Sequence, residues 1–269
     1  MSQARAALGS HWPEYLIEAA GLGAFMIVAG ICVMLVNAPG TIRAVASPDI
    51  RRGVVGIAMG LTAIAIIYSP WGRWSGAHLN PAITLTFLRL GKVAPADAAF
   101  YVVAQLAGGI AGTMLLTVLF GERFTLPPIA AIATVPGSWG EVGAFVAEVA
   151  IAFVLMTTVL AANASSRLMR WTGVCAGALV ALYIMVEAPV SGMSLNPARS
   201  VASAVPSGIW HGIWIYLTAP LVGMLLAAEL HLRRRRPTPC AKLHHNADGR
   251  CIFRCDFAAA QSQEVRHVP

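Results

Sequence analysis

Six stretches of the chain are apolar over enough residues, or nearly enough, to cross a bilayer as helices: 15–36, 53–69, 98–120, 142–162, 173–190 and 210–231. A bilayer core takes about 20 helical residues, so the second and fifth are short. Small residues recur inside them, at Gly53, Gly56 and Gly60 and again at Gly173 and Gly177, and small residues let membrane helices approach closely. Two further apolar stretches are too brief to span. They open with nearly the same words, Ser75-Gly76-Ala77-His78-Leu79-Asn80-Pro81-Ala82 and Ser191-Gly192-Met193-Ser194-Leu195-Asn196-Pro197-Ala198. Asn is a good N-cap and Pro suits the first helical turn, so the pattern predicts short helices over 81–90 and 197–205.

The duplication is wider than these words. Glu18 lies in the first span of one half and Glu148 in the first span of the other, so each half reads span, span, short helix, span. Three spans per half is odd, so the second half enters the membrane from the opposite face. Matching interrupted helices in inverted halves point to a transport path. The expected fold is therefore an all-α membrane protein of six transmembrane helices plus two re-entrant half-helices. Its repeats cover about 15–122 and 141–232, between an N-terminal segment 1–14 and a basic tail 233–269.

Composition agrees: of 269 residues 57% are hydrophobic and 12% charged, with mean hydropathy +0.69, where a soluble domain carries about 25% charged residues. The net charge of +7 does not indicate nucleic acid, because the basic residues avoid the apolar runs and culminate in Arg233–Arg236. Arg5, Arg89, Lys92, Arg167, Arg170 and that run fall on one side; Arg43, Arg51, Arg52 and Arg123 fall on the other. The more basic side is the cytoplasmic one by the positive-inside rule, which puts both termini there in a cell (plasma or inner) membrane. The first apolar run is too long for a cleaved signal and contains Glu18. Asn163-Ala164-Ser165 matches a glycosylation acceptor but falls on the cytoplasmic side, where it is irrelevant. Cys32 and Cys175 lie in apolar runs as inert residues, while Cys240, Cys251 and Cys255 are expected as reduced thiols.

The paired Asn-Pro-Ala words, the inverted halves, and Arg199 directly after the second word resemble the aquaporin (major intrinsic protein) family over about 15–232. The resemblance implies six tilted helices around a narrow pore in each subunit and a homotetramer with four independent pores. It places Glu18, Glu148 and Gln105 as buried structural polar residues and Arg199 at an outer constriction. The same constriction takes Ile184 from the fifth span, Met193 from the loop and, from the second span, Met59, with Gly60 as the neighbouring register. Water-selective relatives have His, a small polar residue or Cys, and Phe at these three places, so the filter here is atypical. Ser200 and Ala204 follow the water-channel pattern instead.

The chemistry of such a site can be argued from the residues. A half-helix that stops inside a bilayer must open onto a wet cavity. Its N-terminus carries about half an elementary positive charge, and two such ends together would repel a cation or hydronium while leaving a neutral solute unhindered. Asn80 and Asn196 would cap the helices and donate amide N–H groups to passing water, interrupting a proton wire. An Arg inside a membrane is expensive and functional. Passive, proton-excluding passage of water and other small uncharged solutes follows. The alternative is a glycerol- or metalloid-type facilitator with little water specificity. A secondary transporter, less supported, would need ion-coordinating polar groups at the midplane, where the sequence offers two Asn, two Glu that read as structural and no Asp within a span. Neither a nucleophile–base pair nor a phosphate loop speaks for an enzyme. Glu18 and Glu148 read either as a proton relay or, by their symmetry, as acceptors for the loop backbone; His78 reads as a loop hydrogen-bonder and His211 as a span-end residue.

No cofactor is expected in the channel. The tail holds three Cys and two His within 240–255, ligand types of tetrahedral zinc. Cys240, His244, Cys251 and Cys255 are the candidate set; the other reading is a disordered basic tail with incidental thiols.

Overall fold

The computed structural model describes residues 3–38, 47–245 and 250–257. Arg43 and tail residues 246–249 and 258–269 lie outside the described residues. The elements are α1 (Gln3–Asn37), α2 (Pro48–Tyr68), α3 (Pro70–Ser75), α4 (Pro81–Arg89), α5 (Pro95–Phe120), α6 (Glu122–Thr125), α7 (Gly140–Asn163), α8 (Thr172–Val186), α9 (Ala188–Ser191), α10 (Pro197–Ser207) and α11 (Ile213–Arg233). No strand occurs among the described residues. Six helices among the described residues, α1, α2, α5, α7, α8 with the turn before it, and α11, are long and apolar enough to cross a membrane.

Two boundaries differ from the sequence reading. Residues 3–14, expected to precede the first span, are the opening turns of one 35-residue helix. The fifth span ends at Val186 rather than near 190. Pro189 has no N–H to return to the carbonyl of Met185 and restricts Ala188 before it, so the chain breaks at Glu187 and restarts as the four-residue α9.

Three tight helix pairs frame the molecule: α1 with α5, α7 with α11, and α2 with α8. The first two join the first and third spans of each half; the third joins the two halves. Glycine sets the approach. A Cβ on Gly108 would lie 2.0 Å from the Ala19 carbonyl oxygen, and one on Gly60 would lie 2.5 Å from that of Gly177. Large apolar side chains such as Leu61, Val118 and Val142 point outward and are more than half exposed, a surface that hydrocarbon solvates and water does not.

α4 and α10 fill the space between these pairs and run in opposite directions. Arg89 at the end of α4 pairs with Glu229 near the end of α11 at 2.7 Å, so α4 points toward the side that carries the tail. α10 ends near the start of α11, on the far side. The tail does not trail away from the helices: Cys240, Ala241, Lys242 and Leu243 are buried, as are Phe253 and Phe257. Its few apolar residues find cover against the tail-side mouth, which replaces the expectation of a disordered segment for the described part.

Candidate functional site

Two re-entrant loops lead into α4 and α10, and one buried carboxylate organises each. Glu18 Oε1 accepts from the Ser75 hydroxyl (2.8 Å) and the His78 N–H (3.0 Å), and Oε2 from the Leu79 N–H (2.6 Å) and the Gln105 amide (2.8 Å). Glu148 repeats the pattern with the Ser191 hydroxyl (2.8 Å), the Ser194 N–H and the Leu195 N–H (2.8 Å). The Tyr101 and Tyr216 hydroxyls donate to the carbonyls of Ser75 and Ser191. These bonds hold Ala77, Leu79, Met193 and Leu195 at φ of 53°, 51°, 50° and 58°. Left-handed backbone at a non-glycine residue costs on the order of 1 kcal/mol or more, so the carboxylates keep both loops in a shape they would not hold alone. Neither carboxylate is among the residues lining the cavity described next.

The loops deliver Asn80 and Asn196 to one place. Each side-chain oxygen caps its own helix: Asn80 accepts from the Ala82 N–H at 2.8 Å, and Asn196 from those of Ala198 (3.0 Å) and Arg199 (3.2 Å). Pro81 and Pro197 open the two helices, where a missing N–H does no harm. Each amide nitrogen donates across to the other loop, Asn80 to the Leu195 carbonyl and Asn196 to the Leu79 carbonyl, both at 2.7 Å. A carboxamide has two N–H donors, so each Asn can spend one on this reciprocal clasp and keep one for the cavity it lines. The clasp was not foreseen from sequence, which assigned the amide to the solute alone.

That cavity, of about 440 Å³, is lined from Asn37 and Arg51 at the far side to Ala77, His78 and Leu243 at the tail side, with both Asn between. Met59, Ile184, Met193 and Arg199 all line it. Gly60 instead faces the Gly177 carbonyl of α8, so of the two neighbouring registers it is Met59 that meets the cavity. The Arg199 guanidinium donates to the Thr134 hydroxyl, which also contacts Ser200 Oγ at 2.8 Å. Thr134 belongs to the connection between halves, where no motif marks it. His211 sits 3.8 Å from Glu141, outside this site.

At the tail side, His78 Nε2 donates to the Ala241 carbonyl (2.9 Å), and its Nδ1 meets the Thr84 hydroxyl (3.1 Å). Four tail side chains, Cys240, His245, Cys251 and Cys255, bring their ligand atoms within 4.8 Å of one another. This corrects the expected set at one position. The His244 ring lies against Tyr68, with centroids 4.6 Å apart, because adjacent side chains on this irregular stretch point apart, and His245 faces the thiols instead. The Cys251 thiol is held below its usual range by the hydrogen bond with Cys240, aided by His245 and Lys242 against the opposing effect of burial. Asn163, noted from sequence only as a glycosylation match, is buried and donates to the Lys242 carbonyl at 3.3 Å.

Known proteins resemble the chain over its helical body. The family description "Major intrinsic protein" matches residues 9–231. "Probable aquaporin NIP-type" of Nicotiana alata is 33% identical over 194 residues, covering 71% of this chain and 69% of that protein. "Aquaporin NIP1-2" of Arabidopsis thaliana is 33% identical over 211 residues, covering 77% and 69%. The X-ray structure of the aquaglyceroporin from Plasmodium falciparum aligns with TM-score 0.68 at 23% identity, over 82% of this chain and 96% of that one, a likeness of fold. With the family match over its six-span body, the chain belongs to the major intrinsic protein family and is an integral membrane channel, not an enzyme.

Proposed function

We propose that the chain passes water and other small uncharged solutes passively and excludes protons, and that it does so as a homotetramer with one pore per subunit. The observation that carries the reading is the pair of capped half-helices whose Asn80 and Asn196 clasp each other's loops inside one lined cavity. Two helix N-termini facing a shared space place about half a positive charge each at its middle. A hydronium meets that potential in a low-dielectric wall; water does not. The free amide N–H of each Asn donates to the passing oxygen and turns the water away from a continuous proton wire.

Arg199 adds a fixed charge and a donor to the cavity, oriented by Thr134, and in this reading marks its selective part. Met59, Ile184 and Met193, three apolar side chains, line the same cavity. A constriction with one strong donor and yielding apolar walls discriminates weakly between water and a somewhat larger polyol or amide. The tail side, which collects Arg89, Lys92, Arg167, Arg170 and Arg233–Arg236, is the cytoplasmic one in this reading.

Stopped-flow light scattering on reconstituted vesicles tests it with a panel of water, glycerol, urea and ammonia. Water flux together with glycerol or urea flux is expected. High water flux with none of the others would defeat the loose filter. A second reading, a facilitator with little water specificity, is favoured by the three apolar walls, and near-absent water flux beside rapid glycerol flux would select it.

A further inference from the structure

The tail is not a bystander at the pore mouth. Leu243 is 3% exposed and lines the pore cavity from the tail side. Its N–H donates to the Gly76 carbonyl at 3.1 Å, beside the His78 bond to Ala241, so the stretch 241–243 is hydrogen-bonded to the re-entrant loop that carries Asn80. The Lys242 ammonium is buried and donates to the carbonyls of Arg73 (2.9 Å) and Arg250 (2.7 Å). Phe253 stacks on the His78 ring with centroids 5.3 Å apart. Farther out, the Arg254 N–H donates to the Lys92 carbonyl, and Lys92 Nζ reaches Asp256 at 2.6 Å. Among its described residues 237–245 and 250–256, the segment thus occupies the mouth without a helix or strand to hold its shape.

What could hold it is the side-chain cluster. The Cys240 and Cys251 sulfurs are 3.5 Å apart, and His245 Nε2 is 3.1 Å from the Cys255 sulfur. All the cysteines are free. Tetrahedral zinc, with bonds of about 2.3 Å to sulfur and 2.0 Å to nitrogen, sets its ligand atoms about 3.5–3.8 Å apart. Three thiols and one imidazole lying within 4.8 Å need only small adjustments to meet that geometry. Soft sulfur ligands select zinc over magnesium or calcium. The four ligands span residues 240–255, so one ion would cross-link both arms of the loop that carries Leu243. In small segments with little core, metal binding is the folding energy.

We propose that Cys240, His245, Cys251 and Cys255 bind one zinc ion, and that the occupied site clamps the tail as a plug in the tail-side mouth, so that losing the ion frees Leu243 and opens the pore. The gating half rests on the channel reading above; the metal half does not. The ion binds the seated tail and not the released one, so it shifts the balance between them by mass action.

The test uses the full chain, purified and dialysed against zinc or against a chelator, with metal content and water permeability measured on the same samples. Roughly one zinc per chain is expected in the wild type and none in the Cys251→Ser/Cys255→Ser variant, as tetrahedral ligation requires. Chelated wild type and the double variant should both pass water at least about fivefold faster than zinc-loaded wild type. The variant should also lose the response to zinc. Wild type that holds no zinc, or a Cys240–Cys251 disulfide in its place, overturns the site. Bound zinc with equal permeability in loaded and chelated wild type overturns the plug. If no sample conducts water while zinc binds as expected, the channel reading has failed and the metal site stands. Elution of every sample at the same size in gel filtration shows that the variant is folded.

Discussion

Glu148 shows how much one residue can organise. It accepts from two loop N–H groups and a hydroxyl at full burial, and each buried donor left without a partner costs about 1–3 kcal/mol. Glu148→Ala should therefore lower stability by about 3–5 kcal/mol, read as a large drop in the unfolding temperature in detergent. Glu18→Ala should do the same in the other half. If either variant melts like the wild type, the loops do not depend on their carboxylates. The filter makes a separate prediction. Phe at position 59 and His at 184 would add bulk and a second polar group to the cavity that Arg199 also lines, so Met59→Phe/Ile184→His should keep water flux and cut glycerol flux by about tenfold in stopped-flow assays. Unchanged glycerol flux would mean that the narrow part lies elsewhere. At this scale the sequence was legible where the chemistry repeats. Asn80, Asn196, Glu18 and Glu148 announce themselves as pairs. Thr134 and Asn163 do not, because their partners, Arg199 and Lys242, are 65 and 79 residues away and nothing in the local pattern marks them.

Among the elements, the contact of α2 with α8 couples packing to the pore. Gly60 and Gly177 bring the two helices together, while Met59, one residue from Gly60, and Ile184, two turns on from Gly177, face the cavity. Adding a Val side chain at Gly177 would collide with Ile64 and with the Gly60 carbonyl, which a Cβ would approach to 2.5 and 2.6 Å. Gly177→Val should therefore destabilise by about 1–3 kcal/mol or more and alter glycerol-to-water selectivity at the same time, measured by thermal unfolding and vesicle flux. Loss of stability without change in selectivity would separate the interface from the filter. Helix existence was readable from hydropathy, since apolar length is what a bilayer demands. Helix ends were less so. The early start at Gln3 has no strong apolar signal, and the stop at Val186 is set by Pro189 against an apolar run that continues past it. The tail was the least legible element. Its ligand types stood out, but which histidine faces the thiols depends on how an irregular chain turns against α2, and Tyr68 takes His244 out of the set.

For the whole molecule, the inverted repeat explains why the pore is central. Two copies of one motif run in opposite directions, the two half-helices begin side by side and point apart, and their free N-termini share one space that neither half could enclose alone. The family match ends at residue 231, so the channel body lies within it and the tail that carries Cys240, His245, Cys251 and Cys255 lies outside it. The most direct measurement is osmotic shrinkage of proteoliposomes holding metal-stripped protein, with a pH gradient imposed across the same membranes. Shrinkage well above that of protein-free vesicles, with the gradient retained, is expected. Shrinkage no faster than lipid alone, or a gradient that collapses as water flows, would contradict a neutral-solute pore built on Asn80 and Asn196.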